Sequence, residues 1–361
     1  MTPQPPAPPR PPGITRHRTS RGWSYTAADG TTLADPEFLQ RIAGLSLPPA
    51  WAHVWINPDP HADLQATGVD ARGRTQYRYS LAFRRRHDLD KFAHVLDFAA
   101  ALPALRRDVD ENLTQPGLSH EHVLAASVRL LDRGFFRVGN PAYARDNHTY
   151  GLTTLQRRHV TPEPGGRLRF DYTAKEHRHR VVEVNDPAAA TTVAALLART
   201  DTSAYRDQLL VYRHPDATAT VAWLPLPSSH INAYVHSITH LPATAKAFRT
   251  WSGTVLAAAA LAGADTTHLT IQPSRNPVLT AYRATAALLG NTPAVAAASY
   301  IHPALITAYR KGHTVTPALH AAAHRHSSSK LDEVWLDPEL QDAVHQLLTD
   351  PNNQDSVGVF R

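Results

Sequence analysis

Hydrophobic period first changes from strand to helix near a run of three arginines at 84–86, and the change excludes any architecture built from one repeating unit. Upstream the pattern is that of strands. AHVWINPD at 52–59 reads as one strand. LQATGVDARGRTQYRYS at 64–80 reads as a hairpin turning at Asp70 and Gly73. Alternation in TQYRYS puts Tyr77 and Tyr79 on one face, with Gln76 and Arg78 on the other. Downstream the period becomes helical. SHEHVLAASVRLLDRGFF begins with Ser119 as a cap and aligns Leu124, Val128, Leu131 and Phe135 on one stripe. Period two returns in RLRFDYTAKEHRHRVVEV at 167–184, where Phe170 and Tyr172 alternate on one arm and Val182 and Val184 on the other. The turn between the arms, at 173–177, contains Lys175. Helical patterns then run from Pro187 to the end, broken at Pro225, Pro242, Gly312 and Pro317.

The expected fold class is therefore α+β: a small β-rich N-terminal domain over 21–86, and a larger, mostly α-helical domain over 87–361 carrying a small β-hairpin sheet. Residues 1–20, Pro-rich through residue 12, are expected to be a disordered tail with order beginning near Arg21. The three arginines mark the junction.

Cysteine is absent, which removes disulfides, thiolate nucleophiles and cysteine zinc sites together. No run of eighteen apolar residues and no secretory signal is found, so a cytoplasmic protein is expected. A net charge of +6 favours an anionic partner. Lys stands only at 91, 175, 246, 311 and 330 among 37 basic residues, which makes each lysine worth a question. His320 and His324, four apart in HAAAHRH, have the spacing of zinc ligands but no Glu between them and no third ligand, and no metal is assigned.

The stretch LLGNTPAVAAASYIHP at 288–303 is locally legible. Gly290 closes one helix, Thr292 caps the next and Pro293 occupies its first turn. Pro303 must end that helix, which leaves Tyr300 in its last turn and Asn291 ahead of its positive end. By itself Tyr300 would be an ordinary half-buried aromatic.

Separated segments carry more in combination. In order they are GRTQYRYS, FFRVGNPAYARDNHTYGLTTL with Arg137, TAKEH with Lys175, KAFRT with Lys246 and Arg249, and GNTPAVAAASY with Asn291 and Tyr300. With these segments and spacings the chain resembles a type IB DNA topoisomerase of the small poxvirus and bacterial kind, from about Gly73 to Tyr300 and more loosely beyond. The family pattern KxxRT recurs as KAFRT, and its GHTP…Y block recurs as GNTPAVAAASY at equal spacing.

The resemblance implies an isomerase with a tyrosine-recombinase/topoisomerase IB catalytic fold that closes as a clamp on duplex DNA. It relaxes supercoils by cutting one strand through a 3′-phosphotyrosyl link, with controlled rotation and religation. Tyr300 falls at the nucleophile, Arg137 and Arg249 at the paired guanidiniums, Lys175 at the general acid and Asn291 at the fourth supporting place. The chemistry of each side chain suits the role it is given. A neutral phenol is a weak nucleophile that needs help, forked guanidiniums match phosphoryl oxygens, and an ammonium can release a proton. No cofactor, ATP or metal is expected, nor an obligate protein partner; the enzyme is expected to be a monomer associated with the nucleoid.

The resemblance further implies DNA contacts for Gln76, Tyr77 and Tyr79 in the major groove, and for Tyr143 and Lys246 near the scissile phosphate. Arg84 is a candidate phosphate clamp on charge alone. Two departures stand out. Asn291 replaces a His found in many relatives, so it acts as a donor and not as an acid. Alanines fill 296–298, where poxvirus relatives carry basic residues, which predicts a weaker noncovalent grip on DNA. The rivals are a tyrosine recombinase, which usually has His where Lys246 stands, and a noncatalytic DNA-binding or packaging protein.

Overall fold

A computed structural model describes residues 12–20, 22–71, 73–214, 223–272 and 274–354. The Pro-rich stretch lies outside the described residues through residue 11. Two compact units divide at Lys91 and Phe92.

The first unit is an antiparallel sheet with strands β1 (Ile14–Thr19), β2 (Gly22–Thr26), β3 (Thr32–Leu33), β4 (Ala52–Ile56), β5 (Leu64–Val69) and β6 (Thr75–Tyr79), in the order β3-β2-β1-β4-β5-β6. Helix α1 (Pro36–Gly44) starts at Asp35, whose carboxylate accepts from the Phe38 N–H at 2.9 Å. It buries Ile42 with Ile14, Val54, Ile56 and Ala66. Order thus begins well before Arg21. The basic, Thr-rich β1 shows no apolar alternation, and tertiary partners decide its conformation. Ile14 joins the core, and the Arg16 guanidinium donates to the carbonyls of Pro48 (3.0 Å) and Trp51 (2.8 Å) while lying 4.0 Å over Trp23. The 64–80 hairpin has the expected register, Val69 opposite Thr75.

No break occurs at the arginine run. Helix α2 (Leu81–Leu113) runs through it for 33 residues, and the division between units falls inside this helix. A junction in a sequence need not be a linker; here a continuous helix carries the chain across it.

The second unit is built on α3 (His120–Gly134), capped by Ser119 and buried along most of its length. After it come α4 (Pro141–Asn147) and a three-stranded antiparallel sheet of β7 (Val160–Glu163), β8 (Arg167–Ala174) and β9 (Arg178–Asn185). The expected hairpin is β8–β9, with Lys175–His177 as its turn. Strand β7 adds an edge that the period analysis missed, because Val160–Glu163 is too short to alternate legibly. Phe136 is fully buried and meets Phe170 edge-on at 4.9 Å, fixing the sheet to the end of α3. Helix α5 (Pro187–Ala198) is followed by a second unforeseen pair, β10 (Val211–Arg213) with β11 (Trp223–Pro225).

Helices α6 (Ser228–Thr239), α7 (Ala245–Leu261), α8 (Pro277–Leu289), α9 (Pro293–Ser299) and α10 (Pro303–Arg310) come next. Small residues let α7 sit at the centre: Ser252, Gly253, Ala257, Ala258 and Ala259 are all buried. The C-terminal helices are α11 (Thr316–His326), α12 (Leu331–Val334), α13 (Pro338–Thr349) and α14 (Pro351–Gln354). Among the described residues no helix is long and apolar enough to cross a membrane. The architecture is α+β, a β-rich N-terminal unit followed by a mostly helical one that carries small sheets.

Candidate active site

Four of the five expected catalytic residues converge where α3, α7, α8 and α9 end or begin. Helix α3 stops at Phe135, which takes a left-handed conformation (φ 54) and turns the chain outward. Two residues on, the half-buried Arg137 donates through Nη2 to Asn291 Oδ1 at 2.6 Å. A guanidinium can only donate, so this bond fixes the Asn291 amide with Nδ2 as its free donor. Nδ2 is buried and has no hydrogen-bond partner among the described residues. An orphaned buried N–H costs about 1–3 kcal/mol. Such a group beside a guanidinium is ready for an anionic oxygen.

Arg249 lies in the second turn of α7 and is 3% exposed. Its Nη1 donates to the Phe135 carbonyl and its Nη2 to Leu289 O at 2.8 Å, tying the ends of α3 and α8 together. Among the described residues its Nε is buried without a hydrogen-bond partner, and its Cζ stands 5.0 Å from the centre of the Tyr300 ring.

Tyr300 is the C-cap of α9 and is 9% exposed. Pro303 does not end α9, as the sequence suggested; it opens α10 behind the His302 cap, and α9 has closed by Ser299. Helix α7 holds the Tyr300 backbone. Thr254 Oγ1 accepts from the His302 N–H at 3.1 Å and shares its single proton between Thr250 O at 2.9 Å and Tyr300 O at 3.3 Å. Gly253 lies directly beneath: a Cβ there would stand 2.6 Å from Tyr300 O.

Two buried phenols share these cations and respond oppositely. Burial raises Tyr172 against the pull of Arg180, Arg249 and Arg137. At Tyr300 burial also pushes upward, but the charge and hydrogen bonding of Arg249, with Arg137 and Lys246 adding charge, bring the phenol below the usual tyrosine value. Burial likewise lowers Arg249, opposed by Tyr300. The phenolate is therefore easier to form at Tyr300 than at an ordinary tyrosine, and harder to form at Tyr172.

Lys175 stands exposed in the β8–β9 turn, followed by left-handed Glu176 (φ 64) and His177 (φ 53). Lys246 is exposed in the first turn of α7, one turn ahead of Arg249. Tyr143 is 42% exposed on α4. In the first unit, Tyr77 and Tyr79 are each 38% exposed and stack at 6.2 Å on one face of β6, and Tyr79 stacks in turn on Phe83 at 4.7 Å. Gln76 is held back by Asp70, to which its Nε2 donates at 3.0 Å. Arg84 is exposed early in α2.

Sequence reasoning missed Arg180. It faces Tyr172 across the β8–β9 ladder and donates to the carbonyls of Ala287 (3.2 Å) and Leu288 (2.8 Å) at the end of α8. The available signal was a charge in register with Val182 and Val184 on the apolar face of β9.

The family described as "Eukaryotic DNA topoisomerase I, catalytic core" matches residues 80–319, and "Bacterial DNA topoisomerase IB, N-terminal domain" matches residues 22–70. DNA topoisomerase 1B of Acanthamoeba polyphaga mimivirus is 25% identical over 291 residues, covering 80% of this chain and 85% of that protein. Together the two family matches define a DNA topoisomerase. More narrowly, the chain belongs to the type IB DNA topoisomerase family and carries the bacterial form of its N-terminal domain.

Proposed function

We propose that the enzyme relaxes supercoiled duplex DNA without ATP or metal, through a 3′-phosphotyrosyl intermediate on Tyr300. The Tyr300 phenol loses its proton to solvent water and its oxygen attacks the scissile phosphorus, the bond to the 5′ oxygen breaks, and Lys175 protonates that oxygen. Arg137, Arg249 and the Asn291 Nδ2 donate to the non-bridging oxygens as charge builds in the transition state. The diester's energy is kept in the new bond, so the free 5′ hydroxyl reverses the step after the strand has rotated. The reading rests on one observation: the Tyr300 ring lies 5.0 Å from the Arg249 guanidinium, beside an Arg137–Asn291 pair with a donor to spare.

Exposed residues supply the grip on DNA. Tyr77 and Tyr79 offer a stacked aromatic edge, with Gln76 behind them on β6. Tyr143, Lys246 and Arg84 contact phosphates or flanking bases, and the enzyme acts as a monomer near the nucleoid.

Purified protein is incubated with supercoiled plasmid in EDTA without nucleotide. Relaxation is expected, together with an adduct that mass mapping assigns to Tyr300. Tyr300→Phe is expected to lose relaxation while binding duplex within about twofold of wild type, since one hydroxyl contributes little to a phosphate-dominated interface. An adduct on another residue refutes the reading.

A further inference from the structure

We propose that Arg180 is a positioning residue of the cleavage site, fixing Asn291 by bolting the C-terminus of α8 to the hairpin that carries Lys175. The inference rests on the proposed cleavage mechanism and adds a residue to it.

A helix leaves its last carbonyls without intrahelical partners, and a cation there also complements the helix dipole. Here each of those carbonyls is taken. Ala286 O accepts from the Asn291 N–H at 2.9 Å. Ala287 O and Leu288 O accept from Arg180, and Leu289 O from Arg249. The residue that follows this fastened end is Gly290, and the next is Asn291.

Gly290 carries a second, independent mark of the same arrangement. Its backbone is left-handed (φ +65), and a Cβ on it would stand 2.7 Å from Arg180 Nη1 and 2.8 Å from Cζ. The guanidinium lies flat against a position where any side chain would displace it. Arg180 itself stands on β9 directly opposite Tyr172 in the β8–β9 ladder, with the two side chains close enough to act on each other's charge. Three residues beyond Tyr172 is Lys175. Arg180 therefore joins two pieces of backbone that hold two different functional groups, and its hydrogen bonds bear on Asn291 through the main chain of α8.

The test is a double-mutant cycle on single-turnover adduct formation, using Arg180→Met and Asn291→Ala in the full chain. Arg180→Met is expected to slow adduct formation by about 10- to 100-fold, and by less than about threefold once Asn291 is already Ala, because the two act as one unit. Arg180→Lys keeps a charge and can reach one carbonyl, so it is expected to fall between Met and wild type. It also serves as the folded variant if Arg180→Met melts below the assay temperature. Duplex binding by both variants is expected to stay within about twofold of wild type. Equal slowing in both Asn291 backgrounds, for either variant, overturns the proposal and leaves Arg180 a general stabiliser, as does no slowing at all. Wild type that forms no adduct in the same assay sinks the proposed mechanism instead.

Discussion

Gly253→Ala isolates the placement of Tyr300, the proposed nucleophile, from the other properties of the enzyme. The added methyl would meet Tyr300 O at 2.6 Å, Tyr300 Cβ at 3.0 Å and Leu289 Cδ1 at 3.1 Å, while ordinary contact begins at 3.4 Å. The nearest atom is main chain, so no rotamer change relieves it, and the Tyr300 backbone must withdraw by about 0.8 Å. Two stability effects oppose each other. Alanine in a helix interior gains about 1 kcal/mol over glycine, and overpacking a close contact costs about 1–3 kcal/mol. The net change is within about 2 kcal/mol, small enough for the variant to fold. Catalysis has no such compensation. A displacement near 1 Å at a reacting atom costs about 100-fold. The assay is single-turnover adduct formation on a short duplex whose cleaved 5′ strand dissociates, with affinity measured in parallel at fixed salt. The expected result is a loss of about 100-fold in rate with near-normal affinity and a cooperative melt. Cleavage within about threefold of wild type by the folded variant would refute the claim that α7 seats Tyr300.

Further expectations concern titration. In the free protein, the phenolate absorbance of Tyr300, taken as wild type minus Tyr300→Phe, is expected to appear below pH 10, and Lys246→Met is expected to move it upward by removing one of the cations that lower it. An unmoved titration would mean that Lys246 does not act on the phenol. His159 is depressed to about 4, by burial first and the Arg158 charge second, with Asp171 opposing. Its folded value lies below its unfolded value of 6.5, so its stabilising effect is complete above pH 6.5 and is lost as pH falls toward 4. The loss amounts to at most about 3 kcal/mol, and His159→Gln is expected to flatten stability across that window in urea melts taken at several pH values. An unchanged slope in the variant would assign the acid lability to another group.

Local signals were enough for much of the fold. The period change gave a β-rich unit before a helical one, and the β5–β6 and β8–β9 hairpins stand where alternation and turn residues put them. Capping chemistry did as well at Ser119, Gly290 and Thr292. Elements whose conformation is set by a distant partner were invisible. Strand β1 is held by β2, β4 and the loop carbonyls that Arg16 binds, and β10 has only three residues with which to find β11.

The same division runs through the site. Resemblance to the type IB topoisomerases, segment by segment in order and spacing, nominated Arg137, Lys175, Arg249, Asn291 and Tyr300, residue types that suit the phosphate chemistry we propose. How those groups are held was settled only by long-range packing. Arg249 joins two helix ends 114 and 40 residues away from it, Thr254 and Gly253 seat a tyrosine 46 and more residues later, and Arg180 reaches carbonyls over a hundred positions along the chain. Chemistry is written in side chains and can be read in order. Aim depends on backbone carbonyls, which every residue possesses alike, so no pattern of letters records which of them an arginine will find.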